Sequence, residues 1–299
     1  MTVATQGYAA KVCVEPAAAP HTFDVSSEPY EFKSFTVARK DNILDTDGIR
    51  GTRSHHSINT RLGTYTVDGA FNWNPTVADL VNWFPRILGE AAAGTTFALK
   101  DELTTNGIFG LLHDNGVSTF EYTDCKVNKA TFSCAPGQLL DCNIEIAGTT
   151  EVIGTAYPAL TLGTTALSNS PFVMSDAVFT FVSAARDTLS CEIVVDNMLD
   201  VRFSNSRTAT SIIPKDRLVT VRTTHPYIAA LYNQAVGGTT GTVVFTNSTV
   251  SITFTFGVLQ VASVGPVVNG KGETVLQVDA VARMTGSTKE LVVTMDSTP

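Results

Sequence analysis

No apolar run in this chain approaches the roughly 18 residues that a membrane-spanning helix requires, so a transmembrane helix is excluded. Charge is sparse, with Asp, Glu, Lys and Arg making up 16% of residues, and the basic ones nowhere cluster. Tight wrapping of nucleic acid needs grouped Lys and Arg against the phosphates, and that function is excluded with the cluster. Cys13, Cys125, Cys134, Cys142 and Cys191 are odd in number and show no Cys-x-x-Cys spacing. That argues against a disulfide framework and a zinc site, and predicts free thiols. The opening stretch MTVATQGYAAKVCVEPAAAP lacks the basic start and continuous apolar run of a signal peptide. No export by that route is expected, and the protein should stay in the cytosol of the cell that makes it.

Catalytic signatures are also missing: no nucleophile elbow, phosphate loop or dinucleotide fingerprint occurs. His55 and His56 are adjacent, but His21, His113 and His225 stand at no ligand spacing from them or from the cysteines, so surface-loop histidines are the expectation. A motif Asp-Asn-x-Leu-Asp (Asp41, Asn42, Leu44, Asp45) resembles carboxylate metal ligands, yet the glycine and ligand periodicity of a calcium loop are absent. A turn-forming Asx cluster around a buried Leu is expected instead, because Asp and Asn side chains bond their own backbone. Asn247-Ser-Thr matches a glycosylation acceptor but carries no weight without a secretory signal. An enzyme, a metal site and a cofactor are therefore not expected. A hydrolase assembled from distant residues is the weakest of the readings left open.

What the chain does have is a repeat. SCEIVVDNMLDVRFSNSRTATSIIPKDRLVTVRT, from Ser190, echoes FTVARKDNILDTDGIRGTRSHHSINTRLGTYTVDG, from Phe35. Asp41 and Asp196, which open the Asp-Asn-x-Leu-Asp motif in each copy, are 155 residues apart, and the Arg-Leu pairs at Arg61 and Arg217 are 156 apart. Two anchors that hold nearly one offset across a loop indicate an internal duplication. The length of 299 residues accommodates two domains of about 150, and 43% apolar residues supply a real core for each. Residues 1–157 carry 11 Lys and Arg against 18 Asp and Glu, whereas 158–299 carry 9 against 10, so the copies share a pattern but not a surface.

In chain order, residues 1–29 mix small residues with Pro16 and Pro20 and predict an extended arm. A first domain is expected over 30–157, a turn-rich linker over 158–171 and a second domain over 172–299. Lys33 to Ala38 and Leu62 to Trp73 alternate as strands around a long polar loop, Asp45 to Asn59. A helix is expected with Asn74 as N-cap, Pro75 in its first turn, Val77, Leu80, Val81, Phe84 and Leu88 on its apolar face, Pro85 bending or shortening it and Gly89 ending it. A second, shorter helix is expected from Pro226, with Ile228, Leu231, Tyr232 and Ala235 on one face and Gly237 as the stop. Strands then close each copy: Gly107 to Leu112, Val117 to Thr131 and Leu139 to Ala147, and later Thr242 to Phe245, Val250 to Val261 and Thr274 to Ala282. Each unit reads as a small antiparallel β domain with one helix on one side.

Asp45 through Gly89, with GIRGTRS leading through GTYTVDG to a DLVNWF helix, resembles the major tail tube proteins of long-tailed, siphovirus-type phages. The resemblance implies mainly β architecture, here as two tandem β-sandwich or half-barrel domains, each with a flanking helix. Inner sheets would join edge to edge around a channel for genome delivery. Six tube domains make a ring in that family, so a doubled chain implies three chains per ring. The implied partners are further copies of the chain, tape-measure protein in the lumen, double-stranded DNA passing without specific binding, and tail terminator and distal tail proteins. No membrane and no cofactor are implied, and the place is the virion tail, assembled in the host cytoplasm. An acidic wall would repel phosphates and let DNA slide. The loop and its counterpart Val201 to Pro214 would stack ring on ring through Ile49, Arg50, Arg53, Ile58, Arg207, Ile212 and Ile213. The alternative is a virion surface or host-attachment module of immunoglobulin-like domains. Aromatic-tipped loops would favour it, and these loops are Gly-, Ser- and Thr-rich.

Overall fold

The computed structural model describes residues 10–16, 23, 30–45, 54, 57–90, 93–154, 170–181, 184–229, 232, 238–247, 250–268 and 272–296. Its elements run β1 (Lys11–Pro16), β2 (Ser34–Phe35), β3 (Ala38–Leu44), β4 (Arg61–Trp73), α1 (Val77–Leu88), β5 (Thr96–Ala98), β6 (Phe109–Asp114), β7 (Thr119–Cys134), β8 (Asp141–Gly148), β9 (Thr150–Ile153), β10 (Ala177–Phe181), β11 (Ala184–Arg186), β12 (Ser190–Asp196), β13 (Leu199–Arg202), β14 (Ser211–Pro214), β15 (Leu218–Pro226), β16 (Thr239–Asn247), β17 (Val250–Val268), β18 (Thr274–Arg283) and β19 (Leu291–Asp296). The protein is mainly β, as the alternation in its sequence requires. In β8, for example, Cys142, Ile144 and Ile146 are buried while Asp141, Asn143 and Glu145 stand on the opposite face.

The two halves pair their strands in the same order. In the first, β1 pairs with β6, β6 with β7, β7 with β9 and then β8, β8 with β4, and β4 with β3, all antiparallel. In the second, β10 pairs with β16, β16 with β17, β17 with β19 and then β18, β18 with β15, and β15 with β12, again all antiparallel. The long strands β7 and β17 each slip register against their second partner, between Val127 and Lys129 and between Val261 and Ser263. Each strand changes partner just before that shift, β7 between Cys125 and Lys126 and β17 between Phe256 and Val258, and a bulge adds to the bend of the strand there.

Two joints fuse the halves. Along β7 and β12, Cys134 to Lys129 lie opposite Cys191 to Asp196, and β5 adds to the edge of β19 at Thr96 to Ala98. The first joint makes one uninterrupted run, β3-β4-β8-β7-β12-β15-β18-β17. Beneath it, a single core cluster takes side chains from both halves. Phe84 of α1 contacts Phe97, Phe132 and Phe254 at ring-centroid distances of 5.6, 5.9 and 6.0 Å, so the helix plugs the space between the halves. All five cysteines are buried free thiols.

Several expectations are corrected. The N-cap of α1 is Thr76: its hydroxyl accepts the Asp79 N–H at 3.3 Å while the Asp79 carboxylate accepts the Thr76 N–H at 2.9 Å, a capping box. Asn74 instead donates its amide to the Leu140 carbonyl at 2.8 Å. Pro85 does not shorten the helix, which runs to Leu88 and closes on Gly89 at φ 83°, the left-handed conformation glycine adopts without strain. Val81 is exposed, and Trp83 and Ile87 are buried in its stead. Residues 11–16, placed by composition in an extended arm, form β1 with Val12, Cys13 and Val14 buried against β6, because a short apolar alternation there finds an open edge. Leu44, expected to be buried within its Asx cluster, is exposed on the β3–β4 hairpin. Of the second helix, the Tyr232 N–H donates to the Ile228 carbonyl at 3.1 Å; Leu231, Ala235 and Gly237 lie outside the described residues, as does most of the expected linker.

Candidate assembly surface

The eight-strand run turns one face to the core and the other outward, and the outward face is polar. Register places Lys40, Thr66, Asp68, Asp141, Asn143 and Glu145 on it in the first half, and Glu192, Asp196, Thr220, Arg222, Gln277 and Asp279 in the second. Charges cross neighbouring strands: Lys40 pairs with Asp68, Lys129 with Glu145 at 3.9 Å, and Arg222 with Asp279 at 2.7 Å and Glu192 at 3.4 Å. Each exposed pair contributes at most about 1 kcal/mol. The carboxylates Asp68, Asp141, Glu145, Glu192, Asp196 and Asp279 are matched on this face by Lys33, Lys40, Lys126, Lys129, Arg222 and Arg283, so the face is polar with interleaved charges of both signs.

The run has two ends. At one, β3 makes ladder bonds with β4 alone among the described residues; at the other, β17 beyond Leu259 makes them with β18 alone. The ends differ in finish. Thr36, Ala38 and Lys40 turn their backbone groups toward β4, so Val37 and Arg39 turn theirs outward. The Tyr122 hydroxyl donates to the Val37 carbonyl at 2.9 Å, and the Arg39 N–H donates to Glu151 Oε2 at 3.2 Å. Tyr122 is buried, and burial followed by the charge of Glu151 pushes its hydroxyl pKa up. The Arg39 guanidinium stacks over the Tyr65 ring at 4.0 Å and bonds Asp41 at 2.7 Å. β3 can lie so close to β4 because Gly69 has no side chain: a Cβ there would sit 2.4 Å from the Thr36 carbonyl oxygen and from Val37 Cα.

The residues singled out for stacking fall in different places. Ile49, Arg50 and Arg53 lie outside the described residues, as do His55 and His56. Ile58 is 86% exposed, and Ile43, Leu44 and Leu62 on the same hairpin are exposed as well. Arg207 is tied to the first half of its own chain: its carbonyl accepts the Tyr65 N–H at 3.0 Å, its Nε donates to the Gly63 carbonyl at 3.0 Å, and Asp41 lies 3.6 Å from its guanidinium. Ile212 is a buried residue whose carbonyl accepts the Lys126 ammonium at 2.8 Å, while Ile213 is half-buried on β14. The loop of the second half thus clasps the first half within one chain. A second clasp lies near the β5–β19 joint, where Arg217 donates to the Lys100 carbonyl at 2.6 Å and to Glu290 at 3.0 Å, and Lys289 bonds Asp101 at 3.0 Å. Among the described residues, no group of His, Cys, Asp or Glu is arranged to hold a metal ion.

Tyr122 and Glu151 escaped sequence reasoning, because they meet Val37 and Arg39 across 85 and 112 residues. No curated protein matches the chain. A family model described as phage tail tube protein matches residues 4–285, nearly the whole length. The chain belongs to the phage tail tube protein family.

Proposed function

We propose that three copies of this chain close into a ring of six tube units, and that rings stack into the tail tube through which the genome leaves the virion. Membership of the family carries self-assembly into a tube and a place in the virion tail; the arrangement is inferred from the fold. The observation that carries it is the repeated order of strand pairing, with the halves already joined edge to edge by β7 and β12. A chain that is two tube units in tandem, each with the strand pairings of the other, has the form of a duplicated gene product. Three such chains supply six units in a closed heterologous ring.

In this reading the polar outer face of the eight-strand run lines the lumen. Carboxylates there would repel duplex phosphates and let DNA slide, after tape-measure protein has vacated the channel. Tail terminator and distal tail proteins would cap the ends, in a tail of siphovirus type assembled in the host cytoplasm. Rings would stack through the loop Asp45 to Asn59. Exposed Ile58 is the described member of a contact that would include Ile49, Arg50 and Arg53, joined by Arg207 and Ile213 of the second half. Mass measurement of single rings, or the symmetry of a reconstructed tube, tests the stoichiometry. Three chains with pseudo-sixfold symmetry are expected, and six chains per ring would refute it.

A further inference from the structure

The joint between the halves is made of the C-terminal part of β7 and the edge of β12. Their counterparts in the repeated pairing order are the C-terminal part of β17 and the edge of β3, and these are the two ends of the run that carry no ladder partner among the described residues. A second copy of this chain is the occupant that fits: its β17 edge, from Gln260 to Val268, meets β3 as β7 meets β12. Unpaired strand edges are sticky, and soluble proteins block them. Among the described residues, the β3 end carries side-chain blocks on its outward-turned Val37 carbonyl and Arg39 N–H, and the β17 end shows none.

We propose that Tyr122 and Glu151 form an edge latch, holding β3 closed in the free subunit and withdrawing when the β17 edge of the next copy takes its place. The proposal rests on the ring reading and adds to it the contact and its control. The second half supplies the comparison. There β12 is already paired, and the core-facing positions in the first part of β17 are Phe254 and Phe256, which carry no hydroxyl. The residues opposite them on β19 are Val293 and Leu291, where β9 places Glu151 opposite Tyr122. Polar caps thus occur beside the free edge and apolar side chains beside the paired one. A capped edge must exchange two side-chain bonds for ladder bonds before it can join, which slows uncontrolled edge-to-edge association.

The test uses the full chain and two variants, Tyr122→Phe, which removes one oxygen and keeps the ring, and Glu151→Ala. Self-association is followed by sedimentation velocity across a concentration series, with electron micrographs of the associated species and thermal melts to confirm folding. Both variants are expected to associate at concentrations about tenfold below wild type, the factor for one hydrogen bond no longer surrendered at each contact. Association of folded variants at the wild-type concentration or above it overturns the latch. If the variants associate more readily but no species is annular or tubular, the ring reading fails and the latch stands. If wild type forms rings and the variants form them no more readily, the ring reading stands and the latch fails.

Discussion

The side-chain amide of Asn197 donates to the Ile87 carbonyl at 3.2 Å, so the last turn of α1 in the first half is held by a residue of the second. The same amide donates to Val127 at 3.0 Å, beside the bulge where β7 turns from one sheet into the other. Helix C-termini leave carbonyls without intrahelical partners, and a buried one needs a donor. Asn197→Ala strands both carbonyls in the interior and should lower unfolding free energy by about 2–4 kcal/mol, read from the midpoint of denaturant melts. Asn197→Asp should be worse, since a carboxylate would face two carbonyl oxygens.

Phe84 bridges rings of both halves, and its loss should cost about 3–5 kcal/mol in the same melts. Val81, on the exposed side of the same helix, serves as the control. Val81→Ala should stay within about 0.5 kcal/mol of wild type. Equal effects at the two positions would mean that α1 is not the plug between the halves.

The strands were legible because their signals are local. Alternation in stretches such as Asp141 to Gly148 fixes which face is buried, whereas the Asp-Asn motif lies inside β3 at Asp41 and closes β12 at Asp196. The true cap of α1 was legible too, as Thr-x-x-Asp at Thr76 and Asp79, but Asn74 and Pro75 offered a competing start two residues earlier. β1 was not, since six residues set among alanines and prolines become a strand only when β6 provides an edge. The assembly surface was hardest. Arg207 and Ile212 look like free loop residues in the sequence, and only the fold brings Gly63, Tyr65 and Lys126 up to them.

His225 is fully buried, with Nδ1 2.9 Å from the Asp187 carbonyl and Nε2 2.9 Å from the Thr223 hydroxyl. Burial is the main cause that lowers its pKa, against a smaller raising effect of the Asp187 carbonyl. The unfolded chain, with an ordinary histidine near 6.5, then binds the proton more readily than the folded one. Stability should therefore be full above about pH 6.5 and fall as pH drops through that value toward the lowered folded pKa. His225→Gln should flatten the slope of melting temperature between about pH 7 and 5, and an unchanged slope would show that another group carries it.

Gly69→Ala should destabilise the fold by about 1–3 kcal/mol, because the new methyl would collide with backbone and not with a movable side chain. The damage should be local: β3 would lift from β4 and amide exchange should quicken at Ala38 and Lys40, whose backbone groups face β4. Uniformly faster exchange throughout the molecule would instead indicate global loosening.

Ile58 is the most exposed large apolar side chain described, at 86%, and it lies on a hairpin where Ile43, Leu44 and Leu62 are exposed as well. Scattered single apolar residues on a surface need no explanation, whereas a group on one hairpin is what the proposed ring-to-ring contact would use. A lone subunit gains nothing from Ile58, so Ile58→Asp should leave the melting temperature of the free chain unchanged, as surface substitutions do within about 0.5 kcal/mol. In a stacked tube the same change would bury a carboxylate in an apolar contact repeated around every ring, and small costs multiply in such an array. The expected product is single rings without long tubes, counted in electron micrographs at matched concentration. Long tubes of wild-type length from the variant would remove Ile58 from the stacking contact and leave the ring edges at β3 and β17 untouched.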